Sequence, residues 1–221
     1  MKKYINYIGL VILSMIFFSC NKENFNYPDG YVGISKITVF PTITVTGAAY
    51  IYIAKGGTYT EPGVTAKAGS STVKVVTTGS PDTNTAGVYT ITYTATNTDG
   101  FAATASRTVV VYSTDATATG NDFSGNYART TNGSVAVWTK VAPGVYSVFN
   151  PGGAPGTNLT VIVFNQTGYS IKIPSQIAGG SPTSSLSEST TPGTTPGTIS
   201  KYSMEIVNPG YGTAVRNFVK Q

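Results

Sequence analysis

The sequence predicts an all-β protein built from a β-sandwich followed by a second antiparallel β-sandwich or barrel domain, and three observations carry the all-β part. After Phe18 no stretch sustains an apolar period of 3.6, whereas short alternating runs rich in Val, Ile, Thr and Tyr recur to the end of the 221 residues. Seven of the twelve prolines precede glycine, the pair that fills the two central positions of a type II turn, so turns punctuate these runs. Residues 33–112 and 121–221 each hold enough strands for one domain, and the small polar residues 113–120 read as a linker between them.

The N-terminus carries a different signal. Lys2 and Lys3 precede an apolar stretch from Ile5 to Phe18, and polarity returns at Asn21, Lys22 and Glu23, the layout of an export signal over residues 1–19. The apolar run is shorter than the roughly 20 residues that cross a bilayer. Cys20 is the single cysteine, so no disulfide can form within the chain. Ser19-Cys20 at the end of the apolar run resembles the lipoprotein signal, which implies that Cys20 is acylated and becomes the first residue of the mature protein. Each buried methylene of an acyl chain contributes about 0.8 kcal/mol, so several chains on Cys20 would hold the protein to a membrane without a spanning helix. Residues 20–32 then serve as a tether. Cys20-Asn21-Lys22-Glu23 is similar to the lysine-plus-acid signal of Bacteroidota lipoproteins, which implies an outer-membrane location facing the cell exterior. Without Lys2 and Lys3 the formal charge falls from +5 to +3, and the remaining cations are scattered, so nucleic acid is not an expected partner.

Within 33–112, Ile34 to Val45 reads as an edge strand broken by Pro41, followed by Tyr50 to Ile53, Val64 to Ala68 and Val73 to Thr77. The clearest element is a hairpin: Val88 to Ala95 alternates, Asn97-Thr98-Asp99-Gly100 turns, and Ala102 to Tyr112 returns. Tyr89, Ile91 and Tyr93 share one face and Thr90, Thr92 and Thr94 the other, so one face is core and one is wet. Tyr59-Thr60-Glu61-Pro62-Gly63-Val64-Thr65-Ala66, Thr85-Ala86-Gly87-Val88-Tyr89-Thr90-Ile91-Thr92-Tyr93-Thr94-Ala95 and Arg107-Thr108-Val109-Val110-Val111 together resemble a bacterial immunoglobulin-like family, the type first described in a pesticidal crystal protein. The resemblance implies a spacer or adhesion module and supplies no catalytic residues.

In 121–221, strands are expected around Asn126 to Thr130, Ser134 to Val141, Val145 to Phe149, Leu159 to Phe164, Tyr169 to Ile173, Tyr202 to Val207 and Val215 to Lys220. Leu159 to Phe164 is apolar on both faces, which predicts a central strand. Gly179 to Thr198 collapses to Gly, Ser, Thr and Pro with Thr-Pro-Gly-Thr twice in tandem, and reads as a long mobile loop. Asp122-Phe123-Ser124-Gly125-Asn126-Tyr127, Trp138-Thr139-Lys140-Val141-Ala142-Pro143-Gly144-Val145-Tyr146 and Asn208-Pro209-Gly210-Tyr211-Gly212-Thr213-Ala214-Val215 resemble the C-terminal domain that accompanies such modules in Bacteroidota lipoproteins of polysaccharide-utilisation systems. That family brings no established activity with it.

Enzymatic chemistry has few carriers. The chain has no histidine, which removes the commonest general base and imidazole metal ligand. Glycoside hydrolysis needs two carboxyl groups about 5 to 9.5 Å apart. Asp82 and Asp99 read as turn residues, Asp115 falls in the linker and Glu188 in the loop, leaving Asp122 and Glu205 as the one pair within a domain. Asp115, Asn121 and Asp122 are too few acids for a calcium site, and a capped turn is the plainer reading. No catalytic residue, metal or cofactor is therefore expected.

Aromatic side chains remain. Sugar rings stack on Trp and Tyr while their hydroxyls bond to Asn, Gln, Lys and Arg. Along Ser134 to Val141, Val135, Val137, Thr139 and Val141 share one face, and Ala136, Trp138 and Lys140 the other. If the valines face the core, Trp138 and Lys140 point outward beside Tyr127, Tyr146 and Tyr169 and form a ligand-binding platform. If the strand is covered on both faces, Trp138 is a core residue. The first arrangement implies non-catalytic binding of an extracellular glycan, with outer-membrane transport proteins as neighbours; the alternative is a structural or adhesive envelope protein that binds another protein. A glycan binder keeps its aromatic residues exposed, whereas a structural protein buries them and shows an apolar patch or a bare edge.

Overall fold

A computed structural model describes residues 26–32 and 35–221; the export signal and Cys20 lie outside the described residues. The chain divides into two compact units, 1–39 and 40–221. In the first, β1 (Tyr31–Val32) pairs antiparallel with β2 (Ser35–Lys36), with Tyr31 opposite Lys36.

Fifteen strands fill the second unit, and no helix occurs among the described residues. The first seven are β3 (Pro41–Val45), β4 (Tyr50–Ala54), β5 (Val64–Ala68), β6 (Ser71–Thr72), β7 (Val75–Thr78), β8 (Gly87–Thr96) and β9 (Ala102–Tyr112). They form a sandwich of a three-stranded sheet, β3-β5-β6, and a four-stranded sheet, β4-β9-β8-β7. Alternation decides what is buried: Ile91, Tyr93 and Ala95 of β8 point inward while the threonines between them stay half-exposed. Ile91, Tyr93, Val109 and Val111 meet Ile43, Val45 and Val64 of the opposite sheet. β4 runs parallel to β9, so the chain must switch sheets between β3 and β4. Arg107 holds that crossover. It projects inward from β9 with no exposure, donates through Nη2 to the Thr46 carbonyl at 2.5 Å and through Nη1 to the Ala48 carbonyl, and pairs with Glu61 at 3.2 Å.

The remaining strands are β10 (Gly125–Arg129), β11 (Val135–Ala142), β12 (Val145–Phe149), β13 (Thr160–Phe164), β14 (Gln176–Ala178), β15 (Ser181–Pro192), β16 (Ile199–Val207) and β17 (Arg216–Lys220). They make one eight-stranded sheet in the order β13-β12-β11-β10-β17-β16-β15-β14, curled into a nearly closed barrel. At the seam the Gln176 amide takes the place of a neighbouring strand. Its oxygen accepts the Ile162 N–H at 2.9 Å and its Nε2 donates to the Ile162 carbonyl at 2.8 Å.

Three expectations for this domain are corrected. The stretch expected to be a mobile loop holds the 12-residue strand β15, because threonine and serine suit a pleated surface when both neighbours supply partners. A bulge between Leu186 and Ser189, with Ser187 at φ 54°, absorbs the irregular register. Tyr169 to Ile173 is not a strand; it contributes an isolated bridge between Lys172 and Phe164. β13 is not central either, since it ends the sheet order. Both of its faces are buried for another reason: Val161 and Val163 enter the barrel core, while Ile162 and Phe164 pack on the sandwich.

That second contact changes the meaning of residues 113–120. Val110, with Tyr52, Val88 and Tyr112, packs against Val145, Ile162 and Phe164, so the strands carry the packing that a small polar linker cannot. The linker is itself held: Thr114 Oγ1 donates to the Pro143 carbonyl at 2.8 Å, the Asp115 N–H to the Gln166 carbonyl at 2.9 Å, and the Gly168 N–H to Thr117 Oγ1 at 2.7 Å. Gly144 makes the approach possible, because a Cβ there would sit 2.3 Å from the Asn165 oxygen and 2.4 Å from Thr114 Oγ1. Fragments cut at 113–120 would expose Val145, Ile162 and Phe164, each worth roughly 1.5 to 3 kcal/mol when buried. The intact chain should therefore melt in one calorimetric transition; two resolved transitions would show the modules to be independent.

Candidate functional site

The five residues expected to form a binding platform come together, but four of them do so on the inside. On β11 the inward positions are Ala136 and Trp138, and the exposed ones are Val137 and Thr139. Trp138 is 2% exposed, Tyr127 and Tyr146 not at all, and Tyr169 packs against the same cluster. Trp138 lies 5.8 Å from Tyr127, 5.6 Å from Tyr146 and 5.0 Å from Tyr202, and Phe123 bridges Tyr146 and Tyr169. The platform is thus corrected to a core, since a curled sheet sends its largest rings into the volume it encloses. Burial drives the Tyr146 phenol up to about 12 and the Tyr127 and Tyr202 phenols higher still. Lys140 does not reach for a ligand; its Nζ caps the Asn121 carbonyl at 2.5 Å.

The acids do not form a catalytic pair. The Asp122 N–H donates to the Gly197 carbonyl at 2.8 Å, just before β16 begins, whereas Glu205 lies near its other end. At about 3.3 Å per residue the two are roughly 20 Å apart, beyond the separation a glycosidase uses. Asp122 accepts the Ser124 N–H at 2.9 Å, and the bonds from Ser124 hold its carboxyl below the ordinary range. Asp115 caps Thr117, and the Asn121 amide donates to Asn165 and Gly168. These are closed turns, and among the described residues no group of three or more acids or cysteines converges as a metal site.

What the barrel offers instead is the outer face of β14 to β17. The register lays out its outward side chains in rows: Val219, Lys201 and Thr191; Asn217, Ser203 and Ser189; Glu205 beside Leu186; Val207 beside Ser184; and Pro182 beside Ile177. One half is polar and lines a cavity of about 340 Å³ with Thr130, Ser189, Lys201, Ser203 and Asn217. The other half is apolar. Ile177 is 57% exposed, Leu186 55% and Val207 40%, and beside them Pro182, Glu205, Val207, Asn208, Pro209 and Tyr211 line a cavity of about 390 Å³. Tyr211 does not offer a free ring, because the Arg216 guanidinium covers it at 5.0 Å from the ring centroid and Gly152 packs against its edge carbons. Sequence reasoning missed this face by reading β15 as a loop, although Thr183 and Ser185 alternate there with Pro182, Ser184 and Leu186.

Residues 43–111 match the family model described as bacterial surface protein, Ig-like domain. The first module is thus an Ig-like domain, similar to those of bacterial surface proteins. The crystal structure of the lipoprotein BT2262 from Bacteroides thetaiotaomicron is 24% identical to this chain and aligns at a TM-score of 0.42 over 82% of this chain and 100% of that one. No curated protein matches the chain.

In the Ig-like domain the ionisable groups that meet are structural. Tyr93 donates to Glu61 Oε2 at 2.5 Å, Tyr59 donates to the same oxygen, and the Gly63 N–H reaches Oε1 at 3.1 Å. Desolvation pushes the Glu61 carboxyl up, yet these hydrogen bonds and the Arg107 charge outweigh it and hold the group below its ordinary range. The network ties the loop before β5 to the crossover before β4.

Proposed function

We propose that the chain is a lipid-anchored, non-catalytic protein of the bacterial outer surface whose barrel domain binds another envelope protein through the outer face of β14 to β16. One observation carries this reading: Trp138, Tyr127, Tyr146 and Tyr202 fill the barrel, while Ile177, Leu186 and Val207 stand exposed around the Pro182 to Tyr211 groove. A contiguous apolar patch bordered by serine, threonine and asparagine has the composition of an interface core with its polar rim. Cys20 after the export signal supplies the anchor, and the Ig-like domain carries the barrel away from it. Acids that sit in closed turns or at opposite ends of β16 support the non-catalytic part.

A photo-crosslinker placed at Ser184 in the full-length lipoprotein, displayed on cells, should give a discrete protein adduct. Leu186→Asp should reduce that adduct at least tenfold without changing the melting temperature, since Leu186 packs on nothing in the core. No adduct, or one indifferent to Leu186→Asp, would sink the proposal. A second reading rests on the polar half of the same face, where Lys201, Ser203 and Asn217 could meet sugar hydroxyls. Retardation of the protein in polysaccharide gels, abolished by Lys201→Ala with Asn217→Ala, would favour glycan binding instead.

A further inference from the structure

The Ig-like domain has an aromatic pair that neither its core nor the barrel uses. Phe40, 62% exposed, meets Phe101, 46% exposed, with ring centroids 5.0 Å apart and planes at 67°. Phe40 stands immediately before β3, at the point where the N-terminal segment enters the domain. Phe101 closes the turn between β8 and β9, its N–H bonded to Asn97 Oδ1 at 2.8 Å, so the backbone beneath it is fixed. Register places more of the sandwich at the same end. Pro41 is opposite Ala68 and Val75 opposite Ala95, which brings the 69–70 turn, Lys74 and the exposed Val76 to that pole. The barrel occupies the other pole: β9 runs from Ala102 to Val110 and Tyr112, which touch the barrel, about 33 Å along at the usual strand rise.

We propose that the Phe40–Phe101 pole of the Ig-like domain rests in the surface of the membrane that holds Cys20, so that the sandwich stands on the lipid with the barrel outward. This rests on Cys20 as the lipid anchor. The covalent path selects the occupant: 19 residues separate Cys20 from Phe40, so the acylated end of the chain enters this pole and no other. Phenylalanine rings enter the boundary between headgroups and acyl chains, while Lys67 and Lys74 near the pole can remain among the headgroups. A protein partner would have to compete there with the bilayer itself.

The test uses the full-length lipoprotein purified from cells fed labelled fatty acid and reconstituted into vesicles of phosphatidylethanolamine and phosphatidylglycerol, with and without lipids brominated near the headgroup end of the acyl chain. Phe101→Trp, and separately Phe40→Trp, adds one reporter to Trp138, whose burial in the barrel makes it a built-in reference. Bromolipid should quench the added tryptophan and blue-shift it relative to detergent solution, leaving the Trp138 signal unchanged. Phe149→Trp, on the exposed face of β12 in the barrel, should remain unquenched. Incorporated label with no quenching at positions 40 and 101 would overturn this inference and leave the anchor standing. Equal quenching at 149 would also overturn it, because the chain would then lie flat. Absence of label would remove the anchor and the inference together.

Discussion

Trp138→Ala should cost about 3 to 5 kcal/mol of folding free energy, and Trp138 in the native protein should emit in the blue and stay unmoved by any polysaccharide. The indole sits at 2% exposure among Tyr127, Tyr146 and Tyr202, with ring centroids 5.8, 5.6 and 5.0 Å away, so truncation leaves a hole that rigid aromatic neighbours cannot close. Trp138→Phe separates the packing contribution from the polar one. Trp138 Nε1 and Tyr202 Oη are both buried without a hydrogen-bond partner, the indole N–H lying toward the phenol but outside bonding geometry. Phenylalanine removes an unsatisfied donor while keeping most of the ring, so it should cost about 1 kcal/mol. Urea titration followed by far-ultraviolet circular dichroism measures both; a phenylalanine variant as unstable as the alanine one would mean that the indole N–H makes a strong bond. A red-shifted native emission would return Trp138 to the surface.

Arg107→Ala should destabilise the Ig-like domain by about 3 kcal/mol, toward the lower end of what removing one partner of a buried ion pair costs, because Glu61 keeps 32% of its side-chain exposure and can regain water. The larger part of the loss lies with the carbonyls of Thr46 and Ala48, which the guanidinium ties together at the crossover between the two sheets. Arg107→Lys should not rescue it. One ammonium cannot reach two carbonyls, the Tyr93 hydroxyl and Glu61 from a single position, whereas the guanidinium fork does. The same network sets an acid limit. Glu61 has a folded pKa below its unfolded one, so its contribution is complete above the unfolded value and is lost as pH falls through the folded value. Thermal stability should drop in the acid range below about pH 4, and Glu61→Gln should flatten that drop while lowering stability at neutral pH. A pH profile that Glu61→Gln leaves unchanged would show that another carboxylate governs the acid transition.

The hairpin of β8 and β9 was legible because Tyr89 to Ala95 alternates without a break and Asp99-Gly100 is a turn that glycine at φ 87° completes. Glu61 and Arg107 stood within the motifs that resemble the Ig-like family, but nothing in their separation along the chain says that they meet. An arginine at an inward position of a strand between Ala105 and Val109 was the one available sign, since burial of that charge demands a partner. β15 was misread for a physical reason: serine, threonine and glycine compose loops and edge strands alike, and only the neighbours decide which.

Trp138 marks the boundary between what the sequence determined and what the tertiary structure decided. The chain by itself determined that Val135, Val137 and Thr139 lie on one face of their strand and Ala136 and Trp138 on the other, because side chains alternate with a period of two. Which face became the interior depended on closure: β10 and β17, far apart in the chain, pair in the barrel and enclose the larger rings. By the same means Ile162 and Phe164, apolar and outward, were covered by an Ig-like domain that the local pattern of β13 cannot encode, while Ile177, Leu186 and Val207 were left uncovered. Periodicity is a property of the strand alone, whereas burial belongs to whatever else arrives against it.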